Sequence, residues 1–175
     1  MTNLPVPSIA TAVPGGYVLS SLYNALGNSG LFFSLNVPAA ILYQGTGQSV
    51  TSGGAPAAIT LDSESLDSYG GHSTSTNNSR YTGQVPGYYL VLGTAGIAAN
   101  ATGNRLVQLE KNGALINGAI TVGPAPGTAN ASVQTAVAIA YLNGSTDYVE
   151  TYVYQTSGST LTTQNAGMLV VWIHS

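Results

Sequence analysis

The fold class is decided by two stretches, SRYTGQVPGYYLVL at residues 79–92 and LVQLEKNGALI at residues 106–116. Pro86-Gly87 separates two β-prone runs in the first stretch, and Asn112-Gly113 does so in the second. Proline presets φ, while asparagine and glycine tolerate positive φ, so both pairs are typical of turns. We therefore expect the chain to reverse at both pairs and to lay antiparallel strands side by side in an all-β body.

From Ala39 onward, clusters of Gly, Asn, Pro and Ser separate short runs that we interpret as strands. Strands at such spacing, without helical periods between them, indicate an antiparallel sandwich. We predict a head domain over residues 39–175. The predicted strands are Ala40–Gln44, Ala57–Asp62, Tyr81–Gln84, Tyr88–Gly96, Arg105–Lys111, Ala114–Thr121, Ser132–Leu142, Asp147–Gln155 and Ala166–His174.

Residues 1–38 differ from the rest and are interpreted as an N-terminal arm. Apolar side chains follow the i, i+3, i+4, i+7 spacing of a short amphipathic helix, with Gly27 as its stop. Such a helix is too short to stand alone. It would dock on the chain's own head, on a sister subunit or on a larger scaffold, unless the segment is only a loosely packed extension. The candidate anchor residues are Leu19, Leu22, Tyr23, Leu26, Phe32 and Phe33.

Composition favours an assembled protein over a free monomer. The 175 residues fit one domain, and charged residues make up only 5% of the chain against roughly 25% in an ordinary soluble domain. The surface must therefore be neutral and rich in hydroxyl groups. Few charges remain to keep copies apart, which favours an obligate oligomer or a particle component.

The same counts argue against several partners. Three basic residues and a net charge of -3 cannot supply the many phosphate contacts that drive nucleic-acid binding. No run approaches the ~20 apolar residues of a membrane span, and the first residues lack the basic start of a signal peptide. Because there are no cysteines, disulfides and thiolate metal sites are excluded.

Alternation along the strands predicts which faces are covered. In Arg105–Lys111, Val107 and Leu109 alternate with Gln108 and Glu110, so one face is expected to be wet. In 166–173 both alternating sets are apolar, so neither face can be left in water. One set can fill the sandwich, and the other needs a neighbouring subunit.

Tyrosines give large contact areas with a polar end and are enriched at interfaces. The run Asp147–Gln155 places three of them on one side, although they could equally cover the core or stand half exposed. The candidate subunit-interface residues are Tyr88, Tyr148, Tyr152, Tyr154, Leu169, Val171 and Ile173.

The order of these motifs resembles the globular head shared by complement component q and tumour necrosis factor. The motifs are YTGQVPGYY at 81–89, Lys111-Asn112-Gly113, the polar turn 143–147 between two strands, and the closing run 166–170. The resemblance spans roughly 57–174 and implies a jelly-roll sandwich that works as a homotrimer through binding. The sequence departs from the family in that the glycine usually near Asp147 is displaced to Gly144.

Three further segments, 69–74, 77–81 and 98–105, resemble small virion proteins of tailed actinobacteriophages, which join a proline-flanked arm to such a head. The resemblance implies a capsid decoration, a head fibre or a minor tail protein on the virion surface, made in the host cytoplasm without a signal peptide. Its partners would be two sister chains and major capsid or tail proteins.

Catalysis and metal binding find little support in the sequence. His72, Asp67 and Ser73 could be imagined as a triad, but the segment lacks a nucleophile-elbow pattern. Asp62 and Glu64 could form a glycosidase pair with Asp67, although acidic loop residues explain them more simply. The two histidines lack ligand spacing. We therefore expect no catalytic residue, cofactor or metal.

We consider two functions for this chain. A third, an enzyme that degrades the host envelope, would need an acid pair or a triad, and none is found in the sequence. The first is a non-enzymatic, homotrimeric virion protein anchored to the particle by its arm. The second is a binding module, such as a tail-fibre tip, whose loops recognise host cell-wall sugars. The candidate loops are Ser63–Arg80 and Thr121–Ala131, because Asn, Ser, Thr and Tyr suit sugar hydroxyls.

Overall fold

The computed structural model describes residues 30–127 and 131–175, with side chains described from Phe33 onward. It is an antiparallel β-sandwich preceded by one short helix, α1 (Gly30–Leu35). The anchor candidates Leu19, Leu22, Tyr23 and Leu26 lie outside the described residues, as does the side chain of Phe32. The strands are β1 (Ala39–Tyr43), β2 (Ser49–Val50), β3 (Ala57–Ala58), β4 (Ser63–Asp67), β5 (Arg80–Thr82), β6 (Pro86–Ile97), β7 (Asn104–Lys111), β8 (Ala114–Pro124), β9 (Ser132–Asn143), β10 (Tyr148–Gln155) and β11 (Leu161–His174).

The strands form two sheets. Sheet I has the order β4-β1-β11-β6-β9, with β2 paired to the first part of β11. Sheet II has the order β3-β10-β7-β8, with β5 also paired to β10. From β5 to β11 the chain passes repeatedly between the sheets, so most pairings join strands distant in sequence. This is the predicted jelly-roll sandwich.

The hairpin at Asn112-Gly113 is confirmed. Asn112 has φ 52° and Gly113 has φ 76°, the left-handed values that a two-residue turn requires. The turn joins β7 to β8, which pair in sheet II. The backbone N–H of Asn112 donates to the carbonyl of Tyr148, which ties the turn to the start of β10.

The reversal predicted at Pro86-Gly87 is wrong. Pro86 begins β6 in sheet I, whereas the preceding β5 pairs with β10 in sheet II, so the two strands do not lie side by side. Gly87 is needed for a different reason. Its φ is 148°, and a Cβ there would lie 2.4 Å from Nε1 of Trp172. At this pair the chain passes from sheet II to sheet I, and the indole of Trp172 packs directly against the backbone of Gly87.

Two other expectations change. The predicted strand Ala57–Asp62 is reduced to β3, and β4 lies inside the predicted loop Ser63–Arg80. Only Leu66 is apolar in β4, because this strand forms the edge of sheet I and has little to bury. The face of β7 expected to be wet is largely covered, since Gln108 is only 8% exposed.

The main core lies between the sheets. Its largest apolar members include Tyr81, Tyr89, Leu109 and Leu142, all buried. Burial raises the pKa of the Tyr81 hydroxyl well above its usual range, and the hydroxyl of Tyr89 donates to the carbonyl of Val85. Both phenols are therefore neutral, and the core holds no buried phenolate charge.

A smaller core lies at one end of the sandwich. Phe33 from α1 packs there with Tyr69 and Val85, and its ring meets that of Trp172 edge-on at 4.9 Å. Val37 also packs on this cluster. Phe33 and Val37, though part of the predicted arm, therefore contact the head.

Candidate interaction surfaces

The outward side of sheet I is apolar across all five main strands. Strand register places Leu66, Ile41, Leu169, Leu92 and Val137 in one row across the sheet. A second row contains Val171, Leu90 and Ile139. We call this surface the apolar face. Its members are Ile41, Tyr43, Leu66, Tyr88, Leu90, Leu92, Val133, Val137, Ile139, Tyr141, Leu169 and Val171.

Exposure shows that the face is uncovered within one chain. Ile139 is 61% exposed and Val137 is 51% exposed, although both are β-branched residues that ordinarily pack inward. Scattered exposed apolar residues are normal, but a contiguous patch rimmed by polar groups marks an interaction site. The apolar face therefore needs a partner.

The sequence of β9 already indicates that the outer side of this strand is covered, because its larger apolar residues point outward and its smaller ones inward. Its inward positions hold the small residues Ala136 and Ala140, whereas the outward positions between and beside them hold Val137, Ile139 and Tyr141. A strand that buries only one face normally keeps its larger apolar residues inside. When the larger apolar residues point outward and the smaller ones inward, the outer face of the strand is also expected to be buried. The candidate interface residues did not include these positions.

A depression interrupts the apolar face at Gly167. Gly167 lies in register between Tyr43 and Thr94 and contributes no side chain. The hollow has a volume of about 360 Å³ and is also lined by Ile41 and Leu169. The hollow is open on the apolar face and mostly apolar.

One end of the apolar face is aromatic. The ring of Tyr88 stacks on that of His174 at 4.7 Å and meets that of Tyr141 edge-on at 5.4 Å. A bulge between Trp172 and His174 places His174 opposite Tyr88. The candidate Ile173 falls in this bulge and is 44% exposed.

A second apolar patch lies at a neighbouring edge. Ile120 is 41% exposed and Val122 is 57% exposed on β8, the last strand of sheet II. The β8 edge lies against β9, the last strand of sheet I, where Thr121 Oγ1 donates to the carbonyl of Thr135 at 2.7 Å. We call Ile120 and Val122 the apolar edge. It lies on sheet II, whereas the apolar face lies on sheet I.

The predicted interface tyrosines do not lie together. Tyr88 lies on the apolar face with Leu169 and Val171, whereas Tyr148, Tyr152 and Tyr154 lie on β10, on the outward side of sheet II. The two groups are on opposite sides of the sandwich.

The β10 tyrosines take part in a polar cluster. The Tyr152 hydroxyl donates to Glu150 at 3.2 Å, and burial, together with the charges of Glu150 and Glu110, raises the pKa of Tyr152 to about 12. Glu150 also accepts from the Ser79 hydroxyl at 2.6 Å and from Nε of Arg80 at 3.2 Å. The cluster orders this side of sheet II within one chain.

A polar groove borders this cluster. Its volume is about 290 Å³. The Arg80 guanidinium lies 4.0 Å from the centre of the Tyr148 ring, a cation–π contact, at the groove wall. We call this site the polar groove. It is lined by Gly70, Gly71, His72, Ser73, Thr76, Asn77, Arg80, Thr82, Gln84 and Tyr148.

The acidic and histidine residues considered for catalysis hold loops in place. Both ring nitrogens of His72 lie 2.9 Å from backbone carbonyls, those of Arg80 and Leu61, and Asp67 accepts from the backbone N–H of His72. His72, Asp67 and Ser73 are therefore not arranged as a triad. Asp62 accepts from the backbone N–H of Gly45, and this bond lowers its pKa.

The other candidate loop, Thr121–Ala131, is only partly described. Its first residues belong to β8, and 128–130 lie outside the described residues.

Within 30–127 and 131–175, no group of three or more His, Cys, Asp or Glu side chains is placed to hold a metal ion. Across those same ranges, no helix has the length and apolar character that crossing a membrane requires.

No protein-family model and no curated protein matches the sequence. Solved structures do match the fold. They include Eiger TNF from S. frugiperda (TM-score 0.54, 13% identity, covering 80% of this chain and 94% of that one) and murine APRIL (TM-score 0.55, 10% identity, 78% and 99%). PRD1 vertex protein P5 is similar to the same degree, with TM-score 0.54, 17% identity and coverage of 79% and 98%. The chain thus has a tumour-necrosis-factor-like jelly-roll fold, as the motif order suggested.

Proposed function

We propose that this chain is a non-enzymatic, homotrimeric protein of a phage virion surface, a capsid decoration or head-fibre protein. The exposed apolar face is the observation that carries the trimer. The virion assignment is supported by the similar fold of PRD1 vertex protein P5 and by a composition with only 5% charged residues. Its partners would be two sister chains and other virion proteins, such as major capsid or tail proteins.

The trimer follows from two dissimilar apolar surfaces on one chain. A stable interface buries about 800 Å² per partner, and the apolar face spans five strands. If the apolar edge of one subunit packs on the apolar face of the next, the contact is head-to-tail, and it closes into a trimeric ring when each subunit is rotated by a third of a turn. The interface residues would then include Tyr88, Leu169 and Val171, with Ile173 at the margin. The β10 tyrosines would remain outside it.

The proposed particle anchor is the arm, residues 1–38, joined to the head domain 39–175. Phe33 is buried against the head's own Trp172, so it fixes the base of the arm and leaves Leu19, Leu22, Tyr23 and Leu26 to grip the particle. Truncation of residues 1–28 should leave a soluble trimer that no longer joins particles. A truncated head still incorporated at normal copy number would contradict anchoring by the arm.

Two measurements test the proposal. Sedimentation equilibrium of the full chain at micromolar concentration should give three times the chain mass. Quantitative mass spectrometry of purified particles should find the chain in hundreds of copies for a capsid protein. A stable monomer would overturn the trimer, and absence from particles would overturn the virion role.

A second candidate is a minor tail protein or fibre tip that binds host cell-wall glycan. The observation that favours it is the polar groove, which the predicted loop Ser63–Arg80 lines together with Thr82, Gln84 and Tyr148, and which presents hydroxyl, amide and guanidinium groups. A few copies per particle, together with capture of isolated heads by host cells, would favour this function over decoration.

A further inference from the structure

We propose that the polar groove is a binding site for a saccharide that carries a carboxylate. The proposal goes beyond the virion role and stands without it, since it rests on the groove of a single chain. Three features support it. The Arg80 guanidinium is held in place and keeps unused donors, hydroxyl and amide groups lie beside it, and the groove opens away from the apolar face.

The Arg80 guanidinium is held in place on two sides. One side contacts the Tyr148 ring at 4.0 Å, and Nε donates to Glu150 at 3.2 Å. The terminal nitrogens make no hydrogen bond to any described residue, although guanidinium has five N–H donors. Their paired N–H groups match the two oxygens of a carboxylate.

The Arg80 guanidinium is paired with Glu150 through Nε alone, and its terminal nitrogens remain available to an anion. Of the other two basic residues, Lys111 pairs with Asp147 at 2.8 Å. Arg105 is fully buried, and its terminal nitrogens donate to backbone carbonyls, including those of Thr102 and Asn100. A chain of net charge -3 thus presents one free guanidinium edge, at the groove, and no carboxylate lines that groove.

The remaining lining suits sugar hydroxyls. Thr76, Thr82 and Gln84 bring two hydroxyls and an amide to the groove. Gln84 donates to the carbonyl of Thr82 at 3.1 Å, which leaves its amide oxygen free to accept. The Ser73 hydroxyl oxygen accepts the backbone N–H of Thr76, so its own hydrogen can point to a ligand. Mixed donors and acceptors fit a ring with hydroxyls better than a bare anion.

Size and position are consistent with one sugar unit. The volume of about 290 Å³ is near the lower end of small-molecule pockets, roughly 300 Å³. The groove is formed by β5, the start of β10 and the loop after β4, on the side of sheet II. The apolar face is on the opposite sheet, and the apolar edge is on β8, which β7 separates from β10, so assembly through these two surfaces leaves the groove open. Three grooves in one trimer would add avidity.

Ligand-observed NMR titrations on the full chain test the site with glucuronate, glucose and acetate. Glucuronate should bind with a millimolar dissociation constant, at least about tenfold tighter than glucose, because charge-assisted bonds are the stronger ones. Acetate should bind at least about tenfold more weakly than glucuronate. Equal affinity for glucose and glucuronate would overturn the carboxylate, and equal affinity for acetate would overturn the saccharide.

The variant that tests the site is Arg80→Gln combined with Glu150→Gln. The double change removes both charges and avoids leaving Glu150 buried without its cation. It should weaken glucuronate binding at least about tenfold, whereas Lys111→Gln, which removes a cation outside the groove, should leave binding unchanged. If the double variant does not fold, Gln84→Ala should weaken binding about threefold or more. Unchanged binding in the folded variant, or no glucuronate binding by the unaltered chain, overturns the proposal.

Discussion

Replacing Ile139 by glutamate should separate the proposed trimer into folded monomers. Ile139 is 61% exposed on β9 and lies in register with Leu90 in the apolar face. Complete burial of an isoleucine contributes about 1.5–3 kcal/mol, so covering the exposed part contributes about 1–2 kcal/mol per subunit. A carboxylate buried there without a partner costs several kcal/mol more. Summed over three subunits, Ile139→Glu should weaken assembly by about 10 kcal/mol or more.

The single chain should tolerate the change. Because the side chain is largely outside the core, the free energy of unfolding of the monomer should change by less than about 1 kcal/mol. Far-ultraviolet circular dichroism should therefore keep its β signature. Sedimentation equilibrium at micromolar concentration should report a mass near that of one chain, where the unaltered protein gives three.

A matched control lies on the opposite sheet. Tyr154→Glu introduces the same charge on the outward side of sheet II, where β10 contacts β7 within the chain. It should cost some stability but leave the trimer intact. If Ile139→Glu stays trimeric, whether or not Tyr154→Glu dissociates, the assignment of the interface to the apolar face is refuted.

Three further changes probe the head itself. Gly87→Ala should lower the free energy of unfolding by about 2 kcal/mol or more, because its Cβ would lie 2.4 Å from Nε1 of Trp172; a thermal melt equal to that of the unaltered protein would contradict this. Phe33→Ala removes a 5% exposed ring packed on that indole and should cost about 3 kcal/mol, and the emission of the single tryptophan should shift to the red. Hydrogen bonds from Lys111 and Asn112 hold the pKa of Asp147 below its usual 3.8, so its contribution is present above that value and is lost as the pH falls through the lower, folded value. Asp147→Asn should therefore melt earlier than the unaltered protein at about pH 6 and nearly together with it at about pH 2, and a difference that grows on acidification would contradict the argument.

The sequence predicts local features of this fold well. Asn112-Gly113 specifies its hairpin because the two positive φ values are a property of those two residues. The doubly apolar run in β11 correctly indicated a strand covered on one side by the core and apolar on the other. These inferences depend on neighbours in sequence, where composition and geometry are directly linked.

Long-range pairing could not be predicted in the same way. Pro86-Gly87 has the composition of a turn, but the strands on its two sides pair with other strands. β5 pairs with β10, and β6 pairs with β9 and β11, all of which lie far away in the sequence. The β10 tyrosines and Tyr88 likewise show the alternation of half-covered faces. Alternation tells that a strand has two different sides, but it does not tell which sheet the strand joins, so residues of opposite surfaces were grouped together.

The two proposed surfaces make different physical demands on one chain, and the sandwich separates them. An interface that buries an entire sheet face must be free of unpaired charge, and on the apolar face Thr94 and Thr135 are neutral where the row through Gly167 turns polar. A groove that recognises an anion instead needs a cation with hydrogen-bond donors that its own carboxylate partner does not use. Arg80 meets that need because its one acidic partner, Glu150, is engaged from the side, through Nε. With only three basic residues in the chain, placing that cation beside β5 and β10 keeps it away from both of the proposed contact surfaces.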